Sequence, residues 1–392
     1  MPSDALASWK ARLYEGLRFL DHRNQRRNLA EIRGVNFCSN DYLGLAESAA
    51  LQKAVAEAVQ RAERVGGTGS RLLSGQTEEW REVEEEFAKF AGTEAALFFT
   101  SGYGANVGLL SSLVGKDDVI FSDEQNHASL IDGMRLSGAR KVIYPHLNLN
   151  ALEDALRQEA GAPWRKVIVT ESVFSMDGDI APLAEIANLA EKYNAALILD
   201  EAHATAVQGP SGRGLAISAG LTHRVLALIH TCGKALASAG AFVCGSAVLK
   251  DHLVNHARTF IFSTALPPYM AAQIGAALQL AEGMDRERDL LLGNAAALRE
   301  SLRAEGFDTA GTGSQIVPVV LHSNEAALEA AEHLQREGFA VRAIRPPTVP
   351  PGTSRLRLSL TVRIAEEELS RLVRALVAWR SHEASCATTR HA

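Results

Sequence analysis

The chain has 392 residues, 47% of them hydrophobic and 22% charged, and 40 Lys and Arg against 46 Asp and Glu leave a formal net charge of −6. That composition supplies a sizeable core and room for two or so domains, and the acidic balance argues against a general nucleic-acid binder while permitting a local cationic pocket for a small anion. Cys38, Cys232, Cys244 and Cys386 form no C-x-x-C pair, which excludes a zinc ribbon or redox motif; no apolar stretch reaches membrane-spanning length and the first residues show no signal-sequence core, so a reducing cytoplasm and no membrane partner are expected.

In chain order, residues 5–20 carry Leu6, Trp9, Leu13, Leu17 and Leu20 at helical spacing. The basic stretch Arg23–Asn28 reads as a solvated turn. From about residue 50 to 280, short apolar runs alternate with helical stretches. The runs are Ala95–Phe99, Val119–Phe121, Val142–Tyr144, Val167–Val169, Ala195–Leu199, Val225–Ile229 and Ala241–Val248. Runs that are apolar throughout and separated by helices predict an α/β fold with a mostly parallel sheet covered on both faces. Trp80, Val83, Phe87 and Phe90 mark one helix's core stripe, and Pro182 opens another helix. A long helix is predicted from Pro268 to about residue 305. After it come strand 316–321, helix 325–337, strands 340–344 and 355–360, and helix 365–380, a small α+β unit, with residues 385–392 frayed. The domains expected are 1–43 as an N-terminal helical segment, 44–281 as the large domain and 282–392 as the small one.

In open α/β sheets ligands bind outside the carboxyl ends of the strands, and the polar residues sort by that rule. Lys234 follows the run ending at Ile229, in Thr231-Cys232-Gly233-Lys234-Ala235-Leu236-Ala237-Ser238, among small residues. The other eight lysines lie mostly in polar or helix-surface contexts. Asp200 and His203 follow Ala195–Leu199. A buried lysine and an acid at neighbouring strand ends are what a pyridoxal phosphate enzyme needs: the lysine for the Schiff base, the acid to keep the pyridine nitrogen protonated. Asp200 and His203 also have the spacing of metal ligands on one turn, but no second ligand cluster accompanies them. Gly102-Tyr103-Gly104 opens a helix after Ala95–Phe99, which suits a phosphate at a helix N-terminus and equally suits an ordinary glycine turn. Val107 stands where a dinucleotide fingerprint needs its third glycine. His127, just before a helix, reads on its own as a cap or surface residue.

Six motifs in order resemble the α-oxoamine synthases, a pyridoxal phosphate-dependent family of the fold-type-I architecture: Ser39–Leu45, Gly69–Gly75, Asn126–Ser129, Asp200–His203, Gly233–Leu236 and Phe262–Pro268. The resemblance covers nearly the whole chain. It implies fold type I, with a large domain on a mostly parallel seven-stranded sheet and a smaller C-terminal α+β domain. It also implies that Lys234 is the Schiff-base lysine and general base, Asp200 the pyridinium partner and His203 the residue on the phenolic oxygen. His127 becomes the ring-stacking residue and Ala202 covers the opposite face. Gly102, Tyr103 and Thr231 hold the phosphate, and Ser175 lies beside the ring. Ser263 and Thr264 reach the phosphate of a neighbouring subunit, which implies a homodimer with shared sites. Arg357 binds the amino-acid carboxylate, with Asn40 and Thr348 as substrate contacts. One of Arg26 and Arg27, with Arg26 favoured, is the N-terminal substrate-binding arginine.

Within the family, Val173–Asp179 and above all Arg345-Pro346-Pro347-Thr348 point to the branch that condenses L-alanine with an acyl thioester, pimeloyl-CoA or a pimeloyl-carrier protein. The alternatives are 2-amino-3-ketobutyrate CoA ligase and serine palmitoyltransferase. The chain departs from the family pattern at Phe262, where some members have tyrosine, and at Ala204-Thr205-Ala206, where glycines are usual.

Overall fold

In the computed structural model, which describes residues 4–311 and 313–390, the apolar runs of the central region lie side by side in one seven-stranded sheet. The order across it is Ala95–Phe99, Ala241–Gly245, Ala227–Thr231, Ala195–Asp200, Arg165–Glu171, Asp118–Asp123 and Arg140–Tyr144. Only Ala241–Gly245 runs against the others. Successive side chains of a strand point to opposite faces, and the core divides accordingly. Leu197 and Leu199 pack into one apolar cluster and Ile198 into another. With helices on both faces, the central strands have no solvated side, so Asp118–Asp123 and Ala227–Thr231 are buried throughout.

The covering helices are built as their periodicity predicts. Glu78–Ala91 buries Trp80, Val83, Phe87 and Phe90, with Trp80 stacked on Phe98 at 4.3 Å and Phe87 on Phe242 at 4.0 Å. Each such fully buried side chain contributes roughly 1.5–3 kcal/mol. Leu183–Lys192, entered from Pro182, buries Leu183, Ile186, Ala187 and Ala190.

The C-terminal unit is an antiparallel sheet of Ala343–Ile344, Ser354–Ser359 and Ile316–His322, with helices Asn324–Arg336 and Asp285–Ala304 against it and Glu366–Arg390 packed on those helices. The N-terminal segment is tied to it. Val35–Asn36 pairs in parallel with Phe339–Ala340, Ser359 N–H donates to Phe37 O, and Val362 N–H donates to Tyr42 O. This carries Asn40 and Tyr42 to the edge of the sheet that holds Arg357.

Several element bounds differ from the sequence reading. The long helix after Pro268 is two helices, Pro268–Glu282 and Asp285–Ala304, broken at Gly283 and Met284. The apolar period runs through the break, but Gly283 stops one helix and Asp285 and Glu287 favour the start of the next. Val225 and Leu226 precede the strand Ala227–Thr231 rather than forming it. The expected strand 340–344 is two short pieces, Phe339–Ala340 and Ala343–Ile344, in different sheets. The last helix continues beyond Arg380 to Arg390, and the remainder of the segment expected to fray, residues 391–392, lies outside the described residues, as does the side chain of Cys386. No helix among the described residues is long and apolar enough to cross a membrane.

Candidate active site

The carboxyl ends of five strands, with the N-terminal segment and Arg357, enclose a cavity of about 600 Å³. Asp200 ends its strand and is 4% exposed. Its Oδ2 accepts from Asn106 Nδ2 at 2.8 Å and its Oδ1 from the Ala202 N–H at 2.8 Å. These two hydrogen bonds fix the orientation of the carboxylate. The same Asn106 amide donates to Ser129 Oγ at 2.9 Å, and Ser129 Oγ stands 2.7 Å from Nδ1 of His127. A continuous polar chain therefore joins the His127 ring to the Asp200 carboxylate. His127 is also fixed through its backbone, whose N–H donates to Glu171 Oε1 at 2.7 Å. Burial lowers the His127 pKa, which leaves its ring neutral at pH 7. Burial holds the Glu171 carboxyl well above its ordinary range, and the neighbouring Asp200 charge adds to the effect.

His203 sits in the turn after Asp200 with its Nδ1 2.7 Å from the Tyr42 hydroxyl. Burial pushes its pKa well below the ordinary value, and the nearby cations Lys234 and Arg357 push the same way. It is a neutral imidazole with a fixed orientation. Glu201, between these two residues, faces away from the cavity. It accepts the N–H groups of Leu215 and Ala216, and burial raises its pKa to about 7.

Lys234 stands in a loop closed by Cys232 N–H to Gly240 O and Ser238 N–H to Cys232 O, both 2.9 Å. Its Nζ donates to Thr231 Oγ1 at 3.2 Å. Burial lowers its pKa, against the opposing pull of Asp200 and Glu171, which moves the amine towards the neutral, nucleophilic form. Opposite, helix Gly102–Leu113 points its N-terminus into the cavity, capped by Ser101 Oγ, which accepts from Gly104 N–H at 2.9 Å. The N–H groups of Gly102 and Tyr103 belong to the first turn, which has no intrahelical partner. A Cβ at position 102 would meet Thr231 Cγ2 at 2.8 Å, so glycine is what lets the helix end approach the lysine loop. The Tyr103 hydroxyl donates to the Asp132 carboxylate.

Arg357 enters from Ser354–Ser359. Its Nε donates to Ser175 O at 2.5 Å and its Nη1 and Nη2 donate to Asn40 Oδ1 at 3.1 and 3.2 Å. Every partner is neutral, and no carboxylate pairs with Arg357 among the described residues. A half-buried guanidinium fixed by neutral acceptors keeps its charge available for an incoming anion. A second cavity, of about 760 Å³, shares His127, Ser175 and Met176 and is walled by Pro346, Pro347, Thr348 and Pro350.

The structure thus brings Asn40, Gly102, Tyr103, His127, Ser175, Asp200, Ala202, His203, Thr231, Lys234 and Arg357 around one cavity, with Thr348 on the adjoining one. Ser263 and Thr264 do not join them: Ser263 Oγ donates to Thr259 O at 2.6 Å, and Thr264 bridges to Ser70. The two N-terminal arginines, of which the sequence reading favours Arg26 for substrate, have different partners. Arg26 pairs with Asp21 at 2.8 Å, while Arg27 Nη2 donates to Thr348 Oγ1 at 3.1 Å. The chain leaves its first helix at His22 and turns there, which directs these adjacent side chains differently. Phe262 is 70% exposed under Arg258, away from the cavity. Ala204, Thr205 and Ala206 are buried, and Ala206 takes φ 64°, the left-handed conformation that the usual glycine adopts without strain. Tyr42, Asn106, Ser129 and Glu171 hold the site but carry no assigned role in the sequence reading.

Residues 32–376 match the model of the family described as aminotransferase class I and II. The chain is 47% identical over 367 residues to an 8-amino-7-oxononanoate synthase of Geobacter sulfurreducens, covering 93% of each protein. It is 49% identical over 345 residues to one of Anaeromyxobacter, covering 88% of this chain and 86% of that protein. Among solved structures, it superposes on a serine palmitoyltransferase of Sphingomonas wittichii with a TM-score of 0.87 at 28% identity, covering 98% of both chains. It superposes on an 8-amino-7-oxononanoate synthase of Francisella tularensis with a TM-score of 0.78 at 30% identity, covering 90% of this chain and 99% of that one.

Proposed function

The chain belongs to the class I and II aminotransferase family and, within it, to the α-oxoamine synthases, and on that premise we propose that it makes 8-amino-7-oxononanoate. The reaction joins L-alanine to a pimeloyl thioester, of CoA or of a carrier protein, and releases the thiol and carbon dioxide. The observation that carries this reading is Arg357, a guanidinium with neutral partners only, in the same cavity as Lys234 and Asp200. It supplies the carboxylate-binding group that an amino-acid substrate needs. Relatives 47% and 49% identical to this chain over most of its length are named for this product, which favours alanine as the amino acid.

Pyridoxal phosphate is the cofactor, and the residues present fit it. Ser238 Oγ is buried at the cavity that Lys234 lines, with no partner among the described residues, the first N–H groups of helix Gly102–Leu113 face the cavity, and Asp200 offers a buried carboxylate. Lys234 would hold the cofactor covalently, Gly102, Tyr103 and Thr231 its phosphate, Asp200 its ring nitrogen and His203 its phenolic oxygen, with His127 and Ala202 on its two faces. When bound, the cofactor supplies an electron sink for charge developed at the amino acid's α-carbon.

The chain's own groups then have defined tasks. Arg357, oriented by Asn40 and Ser175 O, pairs with the alanine carboxylate and fixes the α-carbon relative to Lys234. Lys234, its amine favoured neutral by burial, takes the α-proton at Nζ and returns a proton after carbon dioxide leaves. The acyl chain takes the adjoining cavity beside Thr348, with Arg27, not Arg26, as the N-terminal arginine at that end. We further propose a homodimer in which Ser263 and Thr264 serve the partner's phosphate site, since neither reaches the cavity of its own chain, and a cytoplasmic location. The test is Lys234→Ala: thiol release from pimeloyl-CoA with alanine is expected to vanish together with the visible absorbance of the covalently held cofactor. Full turnover in that variant would overturn the assignment.

A further inference from the structure

His146 lies just past strand Arg140–Tyr144, outside both cavities, and the steps above do not use it. Its ring is 14% exposed and spans two carboxylates: Nδ1 is 2.9 Å from Asp123 Oδ1, and Nε2 is 3.2 Å from Asp179 Oδ2. Asp123 ends strand Asp118–Asp123. Its oxygens also accept the Gln125 N–H at 2.8 Å and the Leu147 N–H at 2.9 Å, so it shapes the turn that leads to His127. Asp179 belongs to the turn that carries Ser175. That turn closes through Phe174 N–H to Asp179 O at 2.9 Å and Gly178 N–H to Phe174 O at 3.0 Å. Gly178 has φ 72°, and a Cβ there would meet Ile316 O at 2.4 Å. The face of Phe174 or His146 meets the other's edge at 4.4 Å and 85°, which seals the contact. One imidazole thus links the loop of His127 to the loop whose Ser175 carbonyl orients Arg357.

We propose that His146 is a positioning residue for this reaction: by bridging Asp123 and Asp179 it holds the His127 loop and the Ser175 loop at a fixed separation at the cofactor site. Only the doubly protonated ring donates to both carboxylates at once. Burial works against that charge, but the hydrogen bonds and charges of Asp123 and Asp179 outweigh it and carry the pKa up to about 9. The other titratable groups around the bridge are Glu124, which accepts the His146 backbone N–H at 3.0 Å, Glu171, which couples to Asp123, and Arg299 on helix Asp285–Ala304, which couples to Asp179.

The test uses the cofactor-loaded enzyme. His146→Gln keeps a donor for one carboxylate only. It is expected to alter the visible circular dichroism of the bound cofactor and to lower kcat roughly 10- to 100-fold, as a small misplacement does, with KM for alanine within about twofold. Asp179→Asn removes one of the charges that raise the ring's pKa and is expected to shift the alkaline limb of the kcat profile to lower pH. Native dichroism and native kcat in His146→Gln would overturn the proposal. If that variant does not fold, an unmoved alkaline limb in Asp179→Asn overturns it. The inference rests on the proposed reaction for its kcat arm alone; the dichroism is recorded without substrate, so a wrong substrate leaves that arm intact.

Discussion

The side-chain amide of Asn106 donates to the Asp200 carboxylate at 2.8 Å and to the Ser129 hydroxyl at 2.9 Å, and through Ser129 it reaches the His127 ring. The Asp200 carboxylate at one end and the His127 ring at the other are therefore joined through a single amide from helix Gly102–Leu113. A hydrogen bond to a buried charge contributes about 2 kcal/mol. Asn106→Ala is expected to weaken pyridoxal phosphate binding roughly 30-fold. Titration of the apoenzyme by absorbance measures this, and unchanged affinity would show that the chain does not hold Asp200.

Arg357 and Asn40 are predicted to differ in kind. Arg357→Ala removes the carboxylate partner and should lower kcat/KM for alanine by at least about 100-fold. Asn40→Ala leaves the guanidinium but frees its orientation, so a loss of about tenfold is expected. Steady-state kinetics on alanine checks both, and an Asn40→Ala loss as large as that of Arg357→Ala would mean that Asn40 itself meets the substrate.

Stability should fall on the alkaline side because of His146. Folded, its proton is held up to about pH 9; unfolded, only to about 6.5. The contribution is fully present below pH 6.5 and is lost as pH rises through 9, and it is on the order of 3 kcal/mol. Glu201, with a folded pKa of about 7, gives its own decline between about pH 4.5 and 7, and Glu171, held well above its ordinary range, also lowers stability as pH rises, so His146 is read as the difference between the native protein and His146→Gln. Urea unfolding at several pH values checks this: the decline from pH 7 to 9 should be steeper in the native protein than in His146→Gln, and equal slopes would contradict it.

The residues legible in the sequence are those whose role follows from a strand end. Asp200, His203, Thr231, Lys234 and the Gly102 turn all lie just past buried apolar runs, and the sheet gathers such ends on one rim. The supporting contacts were not legible. Asn106 meets Asp200 across 94 positions and Tyr42 meets His203 across 161, and no periodicity records such pairings. Asn106 did have a local signal, one helical turn past Gly102 and on its side of the helix. His146 had none, because an isolated histidine after a strand looks like any polar turn. Arg26 and Arg27 are adjacent, so only the path of the chain after His22 shows which one reaches Thr348. The break at Gly283 was missed because the apolar spacing continues across it.

The central claim is the reaction itself, and substrate choice tests it most directly. Thiol release should be measured with alanine, glycine and serine, each against pimeloyl-CoA, acetyl-CoA and palmitoyl-CoA. The account predicts that alanine with pimeloyl-CoA gives the highest kcat/KM and that 8-amino-7-oxononanoate and carbon dioxide form in equal amounts. A clear preference for glycine with acetyl-CoA, or for serine with palmitoyl-CoA, would contradict it.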